Sequence, residues 1–327
     1  MSVTAVPQRG FSIDPWDPGY ASAVSAEALT ELDARSSAEL DLDREVPASL
    51  WKPLSPARGA AAPDVMLIAD GVRRVDARVW VHDPGGAMPA PGIAASYAAG
   101  VVRCSPTGGE TAVLAAIDVR RALFSPSPDT PSVLTPYASY PGHVATGATM
   151  EQLSLALQQQ LTELEIELAR TCRADLDGRS DLLLVDGPLR GRSHLPRTLG
   201  YIKTHHAAYL PAPQAAVVTD LRPGERTPVF LMGTSWRRHS WYLRLPGTHT
   251  AHWAGIVRCE AAPDLPIDEV TALADASALV LPSLAGVDYK DPRAPQNLVP
   301  IGGLEKRLRH RLGDPRLLYR ALRNAAT

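Results

Sequence analysis

Two segments of the chain share one hydrophobic pattern and one ending. Residues 65–71 (VMLIADG) and 182–188 (LLLVDGP) each contain an apolar run that is followed at once by Asp-Gly. Such runs predict strands that are covered on both faces of a sheet. A carboxylate at the end of a buried strand costs desolvation free energy unless another group compensates for it. Asp70 and Asp186 are therefore the first candidates for functional residues.

The pattern around these two segments predicts an α/β sandwich with a mixed sheet. Residues 72–83 alternate apolar and polar positions, which predicts a half-exposed strand paired antiparallel with the strand before it. A helix is predicted over roughly 150–172, because Thr149 and Gln152 form a capping box and leucines follow at helical spacing. Further strands are predicted within 95–104, 111–124, 198–206, 226–232, 240–245 and 252–260, and helices within 267–280, 302–312 and 315–324.

Residues 1–63 are expected to lie at the periphery. Residues 26–43 predict a surface helix, and residues 51–64 form a linker rich in proline and alanine. Residues 64–327 are expected to form one domain, with a core over about 64–210 and a C-terminal elaboration.

The composition is that of a globular protein, which we expect in the cytoplasm. The 327 residues are 45% hydrophobic with a mean hydropathy of −0.09, and no apolar run has the length of a membrane span. The N-terminus lacks the pattern of a secretory signal. Three scattered cysteines without a CxxC motif predict neither a disulfide framework nor a zinc site. With a formal charge of −2, any affinity for nucleic acid has to come from local basic patches.

Acidic residues on the long predicted helix complete a candidate site. A tight turn explains either Asp-Gly pair alone, but two of them after buried strands of one sheet favour a shared site. Glu165 lies nearest the sheet, one turn from two leucines of the buried stripe. Glu167 lies on the opposite flank, and Glu163 points outward on a solvated face. We expect Glu165, or else Glu167, to join Asp70 and Asp186.

This order of carboxylates indicates a particular chemistry. A first-strand aspartate, a helix glutamate and an aspartate ending a later central strand occur in this order in RNase H-like nucleases, where three carboxylates hold two divalent cations. Oxygen-only ligands favour Mg²⁺ or Mn²⁺. Two such cations about 3.5–4 Å apart activate a water and stabilise the leaving oxygen in phosphodiester hydrolysis. We therefore expect an RNase H-like mixed sheet flanked by helices, with additional strands and C-terminal helices.

Three basic segments are candidates for contacts with phosphate. The first directly follows Asp186, and the second mixes arginine with tryptophan, as in surfaces that stack unpaired bases. A strand pair with core aromatics is an equally open interpretation of the second segment. The third, residues 305–311, also fits an ordinary solvated helix face. Lys203 either orients a scissile phosphate or is a surface lysine. The candidate DNA-binding residues are Arg190, Arg192, Arg197, Arg237, Arg238 and Trp241.

In this order and spacing the motifs resemble the NurA-type nucleases, partners of HerA-type hexameric DNA translocases. The likeness covers about 64–325. It rests on IADG at 68–71, LLLVDGPL at 182–189, GYIKTH at 200–205, WYLRL at 241–245 and the C-terminal stretch 291–323.

The resemblance implies an RNase H-like core with Mn²⁺- or Mg²⁺-dependent cleavage of DNA. It implies 5′→3′ exonuclease and single-strand endonuclease activity in a homodimer that works with the translocase in DNA-end processing and repair. Asp70 and Asp186 match the family's two DG aspartates, and Glu165 or Glu167 matches its helix glutamate. Tyr242 matches a site tyrosine.

The chain departs from the family near the C-terminus, where many members carry a catalytic histidine. Lys306 or Arg307 stands near the histidine's position, and His310, a helical turn further, is the candidate substitute.

The leading hypothesis is a metal-dependent DNA nuclease. One alternative is a catalytically impaired subunit of the same fold that binds DNA or docks on the translocase. Another is a two-metal phosphohydrolase for a small nucleotide, which the basic and aromatic segments disfavour.

Overall fold

The computed structural model describes residues 39–81, 88–106, 112–174, 176, 180–205, 208–234, 236–247, 253–287 and 289–326. The strands are β1 (Glu39–Asp41), β2 (Val65–Val81), β3 (Ala90–Cys104), β4 (Val113–Ser125), β5 (Val133–Leu134), β6 (Ser139–Tyr140), β7 (Gly142–Val144), β8 (Asp181–Asp186), β9 (Thr198–Ile202), β10 (Phe230–Gly233), β11 (Arg237–Arg244) and β12 (Ile256–Ala261). The helices are α1 (Met150–Arg173), α2 (Ala212–Asp220), α3 (Ile267–Val280), α4 (Val299–Arg311) and α5 (Pro315–Ala325), with short 3₁₀ turns at Ala48–Leu50 and Leu281–Leu284.

One large mixed sheet organises the chain. Ten strands follow the order β1-β10-β11-β12-β9-β8-β2-β3-β4-β7, while β5 and β6 form a separate pair. Strands β2, β3 and β4 form an antiparallel meander, and α1 then crosses over so that β8 runs parallel to β2 and β9 parallel to β8. The prediction of an α/β fold with a mixed sheet flanked by helices is confirmed.

The long helix begins where the sequence predicts. The Thr149 side chain accepts a hydrogen bond from the Gln152 backbone, and the Gln152 side chain accepts one from the Thr149 backbone, which completes the capping box. Leu157, Leu161 and Leu164 are buried, as the helical spacing requires.

The first Asp-Gly pair does not form a turn. The apolar run and the alternating segment after it are one strand, β2, whose partner is β3 and not its own second half, so the predicted hairpin is wrong. Gly71 keeps an extended backbone, because pairing with β3 continues through it at Gly71↔Ala99. Gly187 does end its strand, with a φ of +106° that favours glycine.

The two faces of the sheet bury different helices. Even-numbered residues at the start of β2 and in β8, such as Ile68 and Leu184, pack with α3 and α4 through residues including Leu304. Odd-numbered residues such as Leu67 and Leu183 pack against α1. We refer to these as the α4 face and the α1 face.

The N-terminal part of the described chain extends the sheet. The helix predicted over 26–43 lies outside the described residues up to 38, and residues 39–41 form strand β1 instead, paired with β10. The prediction of helix is wrong there, because those residues complete the edge of a sheet. Both carboxylate oxygens of Glu45 accept hydrogen bonds from Arg226, at 2.8 Å, which ties this segment to the domain. Helix α2 was not predicted. No helix among the described residues is long and apolar enough to cross a membrane.

The close approach of α1 to β2 depends on Gly71. A Cβ at this position would lie 2.7 Å from Leu161 Cδ1 and would also collide with Glu165 Oε1. We expect Gly71→Ala to lower the free energy of unfolding by about 1–3 kcal/mol through overpacking. Gly303→Ala is the matched control: its Cβ meets nothing within 4 Å, so a helical alanine there stabilises by roughly 0.5–1 kcal/mol. Urea denaturation measures both, and equal stability of the two variants contradicts the prediction.

A candidate carboxylate site at the end of two central strands

Asp70 and Asp186 lie side by side. The parallel pairing of β2 with β8 runs from Val65↔Asp181 to Ala69↔Val185, and each aspartate is the next residue of its strand. Adjacent strands are about 4.8 Å apart. Both side chains point to the α4 face, since side chains alternate along a strand and both aspartates continue its even-numbered set. The predicted meeting of the two strand ends is confirmed.

Burial and like charge set the protonation of Asp70. Its side chain accepts a hydrogen bond from the Gly71 backbone N–H at 2.7 Å. Burial, and after it the negative charge of Asp186, hold the pKa of Asp70 well above its ordinary value, and Glu165 and Glu305 act in the same direction. Lys203 opposes them by its positive charge. Asp70 is thus a buried carboxyl in an acidic environment.

Asp186 is held by a chain of polar side chains. Lys203 Nζ donates to Asp186 Oδ2 at 2.6 Å and to Asn297 Oδ1 at 3.1 Å, and Asn297 in turn donates to Asp291 Oδ2 at 2.5 Å. The other oxygen, Asp186 Oδ1, is buried without a hydrogen-bond partner in the part of the chain described. Such an orphaned acceptor is costly unless a ligand meets it.

Glu165 reaches the same strand from the other face. It is 5% exposed, and its Oε1 occupies the space next to Gly71 on the α1 face, whereas the aspartates point to the α4 face. Its Oε2 accepts a hydrogen bond from the buried Arg192. The choice of Glu165 as the inward-facing glutamate of α1 is confirmed. Glu167 is exposed and pairs with Arg120 at 2.8 Å, so the structure does not bring it to the two aspartates.

The fourth acidic residue of the environment is Glu305 on α4, which sequence reasoning missed. Arg293 and Arg309 donate to it at 2.6 and 2.7 Å. Although burial acts to raise it, these hydrogen bonds leave the pKa of Glu305 below its ordinary value. The sequence does contain a signal for Glu305: its helical spacing from Ile301 and Leu308, which are buried, indicates that it faces the core.

Two residues proposed for catalysis lie elsewhere. Tyr242 is 1% exposed and packs against Phe230 and Trp253 on the opposite face, three strands from Asp186. Burial raises the pKa of its hydroxyl. His310 is exposed and lines a groove between α4 and β4. Lys203 is the one further catalytic candidate that the structure places against an aspartate.

Only two of the six candidate DNA-binding residues are exposed. Arg192 is buried against Glu165, Arg238 is buried against Glu260 at 2.8 Å, and Trp241 donates from the core to Ser277. Arg238 and Trp241 of the second basic segment therefore belong to the interior. Arg197 donates to the Asp181 carbonyl, at the end of β8 opposite Asp186. Arg190 and Arg237 are exposed, but Arg237 begins β11 at the same far end as Arg197.

The candidate carboxylate ligands suit a hard cation, although Lys203 and Arg192 already form ion pairs with two of them. Asp70, Asp186 and Glu165 offer only oxygen, and Asp186 Oδ1 is a buried acceptor without a partner. Within the described ranges, no group of three or more Asp, Glu, His or Cys side chains is close enough together to hold a metal ion. Glu165 stands apart from the aspartates because it lies on the α1 face, where it pairs with Arg192, while Asp186 pairs with Lys203 on the α4 face.

No family model matches the chain, and a comparison with curated proteins gives no match.

The raised pKa of Asp70 predicts a pH-dependent gain in stability when its charge is removed. The native state binds a proton at Asp70 more tightly than the unfolded chain does. Stability therefore falls as pH rises from the unfolded pKa, about 3.9, to the folded pKa, and the full cost persists above it. We expect Asp70→Asn to raise the Tm at pH 8 by a few degrees, at roughly 2–4 °C per kcal/mol.

The gain should shrink steadily when the same Tm comparison is repeated toward pH 4. Asp129→Asn, at a surface aspartate, is the control and should show no such trend. An Asp70→Asn variant that is less stable at pH 8 than at pH 4, relative to wild type, contradicts the assignment.

Proposed function

We propose that the chain is a divalent-metal-dependent deoxyribonuclease with an RNase H-like core. The observation that carries the proposal is the pair Asp70, which is buried, and Asp186, which is partly buried, side by side at the ends of two parallel central strands. Placing two repelling carboxylates side by side where one is buried and the other partly buried is expensive, and a structural role does not require this arrangement. A site for a divalent cation does.

The topology supports the fold assignment. Three antiparallel strands are followed by the crossover helix α1 and by two strands parallel to the first. The carboxylates therefore appear in the expected order: first strand, helix, and end of the next central strand. Resemblance of the sequence motifs to the NurA-type nucleases points to the same class.

Each residue of the site has a chemical task under this proposal. Asp70 and Asp186 would hold Mg²⁺ or Mn²⁺, which would supply an activated water and stabilise the leaving oxygen. Glu165, on the α1 face, would add a ligand only after releasing Arg192. Lys203 orients Asp186 and offers a cation to a phosphate oxygen. Asn297 positions Lys203 by accepting a hydrogen bond from its Nζ. Glu305, paired with two arginines, adds negative potential beside Asp70.

Substrate and partners follow from the resemblance alone. The proposed substrate is DNA, cleaved at ends and in single strands by 5′→3′ exonuclease and endonuclease activity. The proposed partners are a second copy of the chain, in a homodimer, and a HerA-type translocase in repair.

A second candidate function is a DNA-binding or translocase-docking subunit without cleavage. One observation favours it: Lys203 and Arg192 neutralise two of the three carboxylates, and the exposed His310 contacts neither aspartate. An assay for cleavage separates the two functions directly.

We expect full-length protein with Mn²⁺ to cleave a labelled single-stranded oligonucleotide. Asp70→Asn and Asp186→Asn should each reduce the rate by roughly 10³-fold or more, a loss of about 4 kcal/mol of transition-state stabilisation. Gel electrophoresis of the products measures the rate.

Glu167→Gln is the matched control, because it removes an exposed carboxylate from the same helix as Glu165. It should cleave as wild type does. Cleavage by Asp186→Asn at the wild-type rate would contradict the nuclease proposal. Absence of cleavage by correctly folded wild type would favour the non-catalytic subunit.

A further inference from the structure

The outer flank of α4 carries a stripe of basic residues. Gly303, Lys306, Arg307, His310 and Arg311 recur at helical spacing and line a groove of about 510 Å³. Leu114 and Ile117 of β4 form its apolar side.

Among the residues that the structure describes, these cations have no acidic partner. The inner flank of the same helix differs, since Arg309 is bound to Glu305 there. In the described chain, no carboxylate forms an ion pair with Lys306, Arg307 or Arg311, and all three are exposed. Unpaired cations gathered on one stripe repel each other, which costs free energy unless an anion joins them.

Charge is concentrated in this part of the chain. Residues 299–326 hold seven lysines and arginines against two acidic residues, although the whole chain has a formal charge of −2. The C-terminal helices are thus strongly basic in an otherwise acidic protein. A local basic surface of this kind is what binding of a polyanion requires.

The groove lies on the same face as the two aspartates. Asp70 pairs with Gly100, and Gly100 pairs with Ile117, so these three positions lie in line across β2, β3 and β4 on the α4 face. Two strand spacings, about 10 Å, separate Ile117 from Asp70. Leu304 and Leu308 cover Gly100 between them. One extended polymer that crosses α4 can therefore reach both the groove and the two aspartates.

We propose that this α4 groove binds the backbone of single-stranded DNA, with Lys306, Arg307 and Arg311 on successive phosphates. The assignment rests on the proposed nuclease function for the identity of the polyanion. It moves the phosphate contacts away from Arg192 and Arg238, which are buried. The apolar wall of Leu114 and Ile117 packs against sugars and base edges.

The test is binding without cleavage. Full-length protein is titrated in EDTA against a fluorescent 20-nucleotide oligothymidylate, and anisotropy gives the affinity over a range of salt concentrations. The variant is Lys306→Gln, Arg307→Gln and Arg311→Gln together. Because each phosphate contact on a single strand contributes about −0.7 to the slope of log K against log salt, the slope becomes shallower by about 2 and binding at 0.1 M salt weakens by about 10²-fold.

Lys52→Gln, Arg58→Gln and Arg222→Gln together form the matched control. These exposed residues lie off α4, and their replacement changes the net charge equally. The control should keep the wild-type slope. Both variants alter exposed side chains only, so circular dichroism should equal that of wild type and neither variant should have a lower Tm; relief of repulsion raises the Tm of the α4 variant slightly.

Equal slopes for the α4 variant and wild type overturn the proposal, and they are also the result expected if the groove serves an acidic protein partner. Failure of the nuclease proposal has a different signature. Wild type would then bind the oligonucleotide through the groove in EDTA but leave it intact with Mn²⁺. Cleavage by wild type with no effect of the α4 substitutions on binding would overturn the groove alone.

Discussion

Mutual repulsion between the buried Asp70 and the partly buried Asp186 is the interaction on which this arrangement depends. Parallel pairing of β2 and β8 places Asp70 and Asp186 at neighbouring positions, and the pKa of Asp70 rises through burial and the charge beside it. The chain offsets this cost with cations from other elements. Lys203 comes from the segment after β9 and Arg192 from the turn after β8. The site is therefore an electrostatic balance assembled from both faces of the sheet.

Helix α4 and the residues just before it contribute to that balance. Asn297, just before α4, positions Lys203, and Glu305 on α4 adds negative potential beside Asp70. The outer flank of the same helix carries the unpaired cations of the α4 groove. One helix thus presents its acidic and paired side to the aspartates and its basic side to solvent. This division of charge joins the candidate site to the candidate binding surface.

Periodicity predicted the elements that depend on local information. The capping box at Thr149, the leucine stripe of α1 and the two apolar strands are all in place, and the pattern identified Glu165 as the inward glutamate. The hairpin at Asp70-Gly71 failed because Asp-Gly is a turn signal only where strand pairing stops, and β3 keeps pairing through Gly71. Arg238 and Trp241 were misplaced because a mixed basic and aromatic segment has the same composition at a surface and around a buried ion pair. Helical spacing indicates that Glu305 faces the core, but its position beside Asp70 and the ion pairs of Lys203 and Arg192 depend on tertiary contacts over long separations, which a local pattern does not contain.

Binding of Mn²⁺ to the metal-free, full-length protein tests the central claim most directly, and electron paramagnetic resonance of the free ion measures it without any assay of activity. We predict saturable binding by wild type that is lost in Asp186→Asn, the variant that removes the orphaned acceptor oxygen. Saturable binding that is unchanged in Asp186→Asn, or no saturable binding by wild type, would contradict a divalent-cation site at the ends of β2 and β8.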